Sequence, residues 1–236
     1  MAGLEFFQFP TLSDNYGVLV HDRNSGQTAS IDAPDAGDVK AALAKKGWTL
    51  SHILVTHHHF DHVQGIAALK AETGCHVRGP AEEADKIDTL DETLSDGDVF
   101  TFGGEAVHVI STPGHTLGMI NFHFPNSGVV FTGDTLFALG CGRLFEGDPQ
   151  MMWQSMQKLM TLPPETQIYC GHEYTQANAR FALTIDPDNS RLVIRAAQID
   201  ALRAAGKPTL PTTLGEELAT NPFLRAGDKA IRRNLG

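Results

Sequence analysis

Residues 56–62 read Thr-His-His-His-Phe-Asp-His and follow directly on the apolar run Ile53, Leu54, Val55. Imidazoles and carboxylates crowded at the end of an apolar segment are the raw material of a divalent-metal site. In an extended segment alternate residues face one way, which puts His57 and His59 on the same side and turns His58 away. Asp61 and His62 fall at the start of the next helix, so one short stretch can face two ions. The arrangement differs from His-Glu-x-x-His, in which two histidines share a helix face.

Three further apolar runs end in a residue of the same kind. "VHVISTPG" leads to His115, "VVFTG" to Asp134 and "IYCG" to His172. Loops at strand ends carry chemistry because the sheet holds them rigidly. Seven ligands from four loops suit two ions better than one. A lone histidine is more often a satisfied surface or core residue, and that bland reading is kept for His21, His52, His58, His76, His108 and His123. Cys75, Cys141 and Cys170 lack Cys-x-x-Cys spacing, which argues against a disulfide framework and a thiolate zinc site; Cys75 and Cys170 read as small core residues.

The elements that must hold these residues are legible in outline. "YGVLV", "TASIDA", "HILVT", "VHVIST", "GVVFTG" and "TQIYCG" read as strands. Helical spacing marks "DAGDVKAALAKKGW", with Asp38 as the expected cap, and "HVQGIAALKAETG", ending on Gly74. It also marks "DPQMMWQSMQKLMTLP", which opens on Asp148 and Pro149. The mixture implies a layered α/β fold. After residue 172 the β runs stop and "TQANARFALTI" and "NSRLVIRAAQIDALRAAG" carry helical spacing, so a domain boundary is placed there, between an α/β unit over 1–172 and a helical one over 173–236. The Pro- and Thr-rich "PTLPTTLGEELATNPF" reads as an extended connection.

The chain's 236 residues are enough to bury a proper core. A content of 42% hydrophobic and 19% charged residues is that of a globular protein. No apolar stretch approaches a membrane span, and the N-terminus lacks the pattern of a secretory signal, so a cytoplasmic location and no membrane partner are expected. A formal charge of −10 lacks the basic footprint of nucleic-acid binding. Divalent ions in a cleft reverse the local sign, which leaves an anionic small substrate open.

With "SDNYGVLV", "THHHFDH", "TPGHTLG", "FTGDTLF", "GCGRLFEG", "CGHEYT" and "NPFLR", the sequence resembles the metallo-β-lactamase superfamily and, within it, glyoxalase II, the hydroxyacylglutathione hydrolases. "GCGRLFEG" and "GHEYT" are the segments most specific to that branch. The resemblance implies a four-layer αββα catalytic sandwich over 1–172 followed by a small C-terminal helical substrate-binding domain over 173–236. It also implies one ion on His57, His59 and His115, a second on Asp61, His62 and His172, and Asp134 bridging both. Zinc is the first expectation, and the ligands suit iron and manganese as well. The implied reaction is hydrolysis of the thioester S-D-lactoylglutathione to D-lactate and glutathione by a hydroxide between the ions, with Asp61 orienting its proton and Asp134 joining the metals.

In that family a basic residue and a tyrosine after the bridging aspartate, and the tyrosine of "GHEYT", hold glutathione; here those positions are Arg143, Phe145 and Tyr174. Phe145 lacks the hydroxyl. The family's further basic helix is expected to be missing beyond "KAIRRNLG", and the implied partner is a small-molecule glutathione thioester met by a monomer or weak oligomer. The competing readings are a persulfide dioxygenase of the same superfamily with a single iron, and a metal-binding module without turnover.

Overall fold

The computed structural model describes residues 3–236. Six strands form the first sheet in the order β1-β2-β3-β4-β5-β6: β1 (Leu4–Thr11), β2 (Asn15–Asp22), β3 (Thr28–Ile31), β4 (His52–Leu54), β5 (His76–Pro80) and β6 (Glu92–Leu94). The first three run antiparallel and β3 to β6 parallel. The crossover from β3 to β4 is α1 (Ala36–Lys46), and that from β4 to β5 carries α2 (Phe60–Val63) and α3 (Ile66–Thr73).

The second sheet contains β7 (Val99–Phe102), β8 (Glu105–Ser111), β9 (Ile120–Phe124) and β10 (Val129–Gly133). A short hairpin, β11 (Leu136–Phe137) and β12 (Gly140–Cys141), then leads to α4 (Pro149–Leu159) and β13 (Gln167–Cys170). The chain closes with α5 (Thr175–Ile185), α6 (Ser190–Ala204), β14 (Thr212–Thr213), α7 (Leu214–Thr220) and α8 (Lys229–Leu235). Strand order in this sheet is β14-β13-β10-β9-β8-β7.

Alternation along the strands explains the layers. On β4 Leu54 points into the space between the sheets, where it meets Val20, Val109, Phe122 and Phe131. Ile53 and Val55 point the other way, onto Val39, Leu43, Ile66 and Leu69 of α1 and α3. On β10 Val129 and Phe131 face inward, while Val130 turns out to Met152, Met156 and Leu159 of α4. Burying one such side chain contributes roughly 1.5–3 kcal/mol. With a helical layer on each outer face, the result is the expected four-layer αββα sandwich, and α5 and α6 add a helical cluster around Leu139 and Leu192.

Several expectations change in detail. The cap of α1 is Asp35, whose side chain accepts from the Asp38 N–H, so Asp38 lies inside the first turn. The stretch expected as one helix over 62–74 breaks into α2 and α3 at Gln64 and Gly65. A Cβ on Gly65 would come within 2.8 Å of the Ala33 carbonyl oxygen, so the junction of the two helices passes close to the backbone after β3 with no room for a side chain. The Pro- and Thr-rich segment is not simply extended: Thr213 caps Glu216 and starts α7, and β14 pairs with β13. The two-residue β14 thus adds the C-terminal segment to the second sheet.

Candidate metal centre

The ends of β4, β8, β10 and β13 meet at one edge of the sandwich and bring together all seven expected ligands. Ligand atoms of His57, His59 and His115 lie within 4.8 Å of one another, as do those of Asp61, His62 and His172, and those of His57, His62 and Asp134. Asp134 links the halves: Oδ1 is 3.5 Å from His62 Nε2, and Oδ2 is 3.4 Å from His115 Nε2 and 3.2 Å from His172 Nε2. A backbone without side chains lets the loops converge. A Cβ on Gly171 would lie 2.5 Å from Asp134 Oδ1, and one on Gly142 would lie 1.8 Å from the Asp134 carbonyl oxygen.

Most of the imidazoles are held from behind. His62 Nδ1 bonds to Asp32 at 2.7 Å, His57 Nδ1 lies 3.0 Å from Thr56 Oγ1, His115 Nδ1 bonds to the Arg143 carbonyl at 2.7 Å, and His172 Nδ1 meets Asp14 at 3.2 Å. Each of these four rings therefore aims Nε2 inward, whereas His59 presents Nδ1, 3.0 Å from His115 Nε2. The Asn15 amide donates to Asp61 Oδ2 at 3.0 Å. Fixing the outer nitrogen sets both tautomer and orientation of a ligating histidine.

The centre fits divalent ions. His57 Nε2, His62 Nε2 and Asp134 Oδ1 are buried and have no hydrogen-bond partner among the described residues. Leaving such groups unpaired in the interior is costly, and a cation satisfies all three together. Burial lowers the His57 pKa well below its ordinary value. Burial acts the same way on His62, but Asp134, Asp32 and Asp61 outweigh it and raise the pKa to about 9. Burial would raise the Asp134 pKa, yet His62, His172 and His57 hold the carboxyl far below the usual range. One half is therefore a nest of neutral imidazoles, and the other is a carboxylate-rich pocket that favours positive charge.

The expected substrate contacts flank the centre. Tyr174 stacks on His172 with ring centroids 4.7 Å apart, and burial raises its hydroxyl pKa to about 12. Phe145, 60% exposed, stands edge-on to His59 and His115 at 5.4 and 5.3 Å. The exposed Arg143 places its guanidinium carbon 5.7 Å from the Phe145 ring. The phenyl group thus walls the histidines and supports Arg143, with no hydroxyl to offer a ligand.

Sequence reasoning missed Asp14, Asn15, Asp32 and Glu83 as supports. Asp32 ends "TASID", and the strand-end rule applied to the other runs singles it out as well. Its backbone adopts φ 56°, a left-handed conformation that Asp tolerates. Its carboxylate also accepts from the Thr56 N–H at 2.7 Å. Asp14 and Asn15 sit in the quoted "SDNYGVLV", whose purpose shows only in three dimensions. His58 takes no part in the seven-ligand set and lies against Glu83 and Glu146. An apolar cavity of about 460 Å³ beneath α4 and α5, lined by Trp153, Phe181, Phe223 and Ile231, includes none of the ligands.

Residues 26–172 match the family model described as metallo-beta-lactamase superfamily, and residues 173–236 that described as hydroxyacylglutathione hydrolase C-terminus. The chain is 60% identical over 233 residues to the hydroxyacylglutathione hydrolase of Brucella anthropi, an alignment covering 99% of this chain and 90% of that protein. It is 59% identical to the Brucella ovis protein of the same name, covering 99% and 91%. Among solved structures, ETHE1 from Myxococcus xanthus is similar with a TM-score of 0.65 and 28% identity, over 94% of this chain and 99% of that one. The di-iron-bound form of TTHA1623 gives 0.64 and 26%, over 93% and 99%.

Proposed function

The chain belongs to the metallo-β-lactamase superfamily and, within it, to the hydroxyacylglutathione hydrolases, and from that membership we propose that its seven-ligand cluster is a binuclear catalytic centre. The protein is a thioester hydrolase acting on S-lactoylglutathione, and it binds divalent metal. His57, His59 and His115 would hold one ion, Asp61, His62 and His172 the other, with Asp134 shared. Zinc is the proposed metal for both, since a nitrogen-rich set suits it. TTHA1623 in its di-iron-bound form supports the count of two.

Bound ions supply Lewis acidity toward the thioester carbonyl and a water that ionises near pH 7. The protein's own part is orientation and charge. Asp61 has a side chain 40% exposed against 8% for Asp134, which makes it the carboxylate that can reach and align the attacking water. Asp134 supplies the buried negative charge that holds the two halves together. Arg143 offers a planar fork to a glutathione carboxylate, and Tyr174 offers a phenol beside the centre. The thiolate of glutathione leaves as the acyl group goes to water, giving lactate.

Residues 1–172 are proposed as the catalytic domain and 173–236 as a helical unit that contributes Tyr174 and braces the hairpin before Arg143. The observation that carries the reading is the convergence of seven ligand residues from four separate loops, three of which bring a buried ligand atom with no hydrogen-bond partner among the described residues. Elemental analysis alongside S-D-lactoylglutathione hydrolysis tests it. Two ions per chain and turnover that vanishes with a chelator are expected. One ion per chain, or turnover that survives metal removal, defeats it.

A further inference from the structure

Glu83 lies outside the ligand set, at the end of the short 3₁₀ turn Ala81–Glu83 after β5, and its side chain is 1% exposed. One oxygen, Oε2, accepts from the His58 N–H at 2.6 Å, and His58 Nδ1 lies 2.9 Å from the same atom. The other, Oε1, accepts from the Thr116 hydroxyl at 2.5 Å and the Gly118 N–H at 3.1 Å. His58 stands between His57 and His59, while Thr116 follows His115. The two loops that carry these three ligands are thus tied to the two oxygens of one carboxylate. The close fit continues at Gly118, where a Cβ would lie 2.5 Å from Glu83 Cγ.

We propose that Glu83 is a positioning residue that sets the spacing of His57 and His59 against His115, and so tunes the affinity of the ion those three histidines hold. The inference rests on the binuclear reading of the ligands. Its physical basis is acceptor count: a carboxylate presents acceptors on both sides, and donors approach from both. Glutamine has the same shape but one oxygen and one NH₂. In Glu83→Gln the NH₂ must face a backbone N–H, either that of His58 or that of Gly118, since of these donors only the Thr116 hydroxyl can turn to accept, and one loop's anchor is weakened. A support that orients ligands typically changes metal affinity about tenfold to a hundredfold when removed.

The test is stepwise zinc affinity by chelator competition, for wild type and Glu83→Gln, each also in a His172→Ala background that isolates the His57, His59 and His115 ion. Glu83→Gln should weaken one step, and the isolated ion, by about tenfold while leaving the other step alone. An unchanged isolated ion overturns the proposal, even if the melting temperature falls, because a purely structural role would move stability without moving that affinity. Equal weakening of both steps overturns it too. Glu83→Asp, which keeps both oxygens but shortens the reach, provides a second reading with the same expected outcome should Glu83→Gln fold poorly. Wild-type stoichiometry separates the two ideas: a single zinc defeats the binuclear reading, and the response of that zinc to Glu83→Gln still decides the role of Glu83.

Discussion

At the scale of single residues, the proposed centre divides between groups that would face the ions and groups that hold those groups still. Asp134→Ala should abolish thioester hydrolysis and reduce bound metal, while far-UV circular dichroism stays close to wild type, because this carboxylate contacts histidines and not the hydrophobic core. Wild-type turnover in the mutant would refute the bridging role. Asp32→Ala removes the acceptor behind His62 Nδ1, and it should weaken one ion by about tenfold to a hundredfold in a chelator titration. The ligands were readable because polar residues at the ends of apolar runs are conspicuous. Their supports were less so. Glu83 sits in "AEEADK", which reads as a solvated surface, and nothing local shows that His58 and Thr116 fold onto it.

At the scale of elements, "NPFLR" shows how a motif can be visible while its work stays hidden. The buried Asn221 amide donates to the carbonyls of Phe137 at 3.1 Å and Gly140 at 3.0 Å, and Glu217 accepts from the Leu139 N–H at 2.7 Å. The C-terminal segment thereby clamps the β11–β12 hairpin, where Leu139 adopts φ 59°, just before Arg143. Asn221→Ala leaves buried carbonyls unpaired at a cost of about 1–3 kcal/mol each. A loss of about 2 kcal/mol lowers the melting temperature by roughly 4–8 °C in a chain of this size. A shift under about 1 °C by calorimetry would mean that water replaces the amide without loss. Strands escaped notice for a related reason. β1 carries Pro10 and little alternation, and β14 is only two residues long, so partners across the sheet define them more than their own residues do.

At the scale of the whole molecule, a chain of formal charge −10 handles an anionic thioester. Two divalent ions in the proposed centre would contribute four positive charges at one edge of the sandwich, which lets a repulsive net charge coexist with an attractive cleft. Arg143 extends that positive field outward, since its carbonyl is fixed by His115 Nδ1 while its guanidinium stays exposed over Phe145. With Phe145 offering no hydroxyl, the proposed reading gives Arg143 a larger share of the glutathione recognition. Arg143→Ala should remove the proposed charge-assisted contact, worth about 1.5–3 kcal/mol or roughly tenfold to a hundredfold in affinity. A contact to a glutathione carboxylate made equally before and during reaction should show its loss in KM with kcat little changed. Steady-state kinetics on S-D-lactoylglutathione check this. An unchanged KM would show that glutathione is held elsewhere, and a fall in kcat at constant KM would place Arg143 in the chemistry instead of in binding.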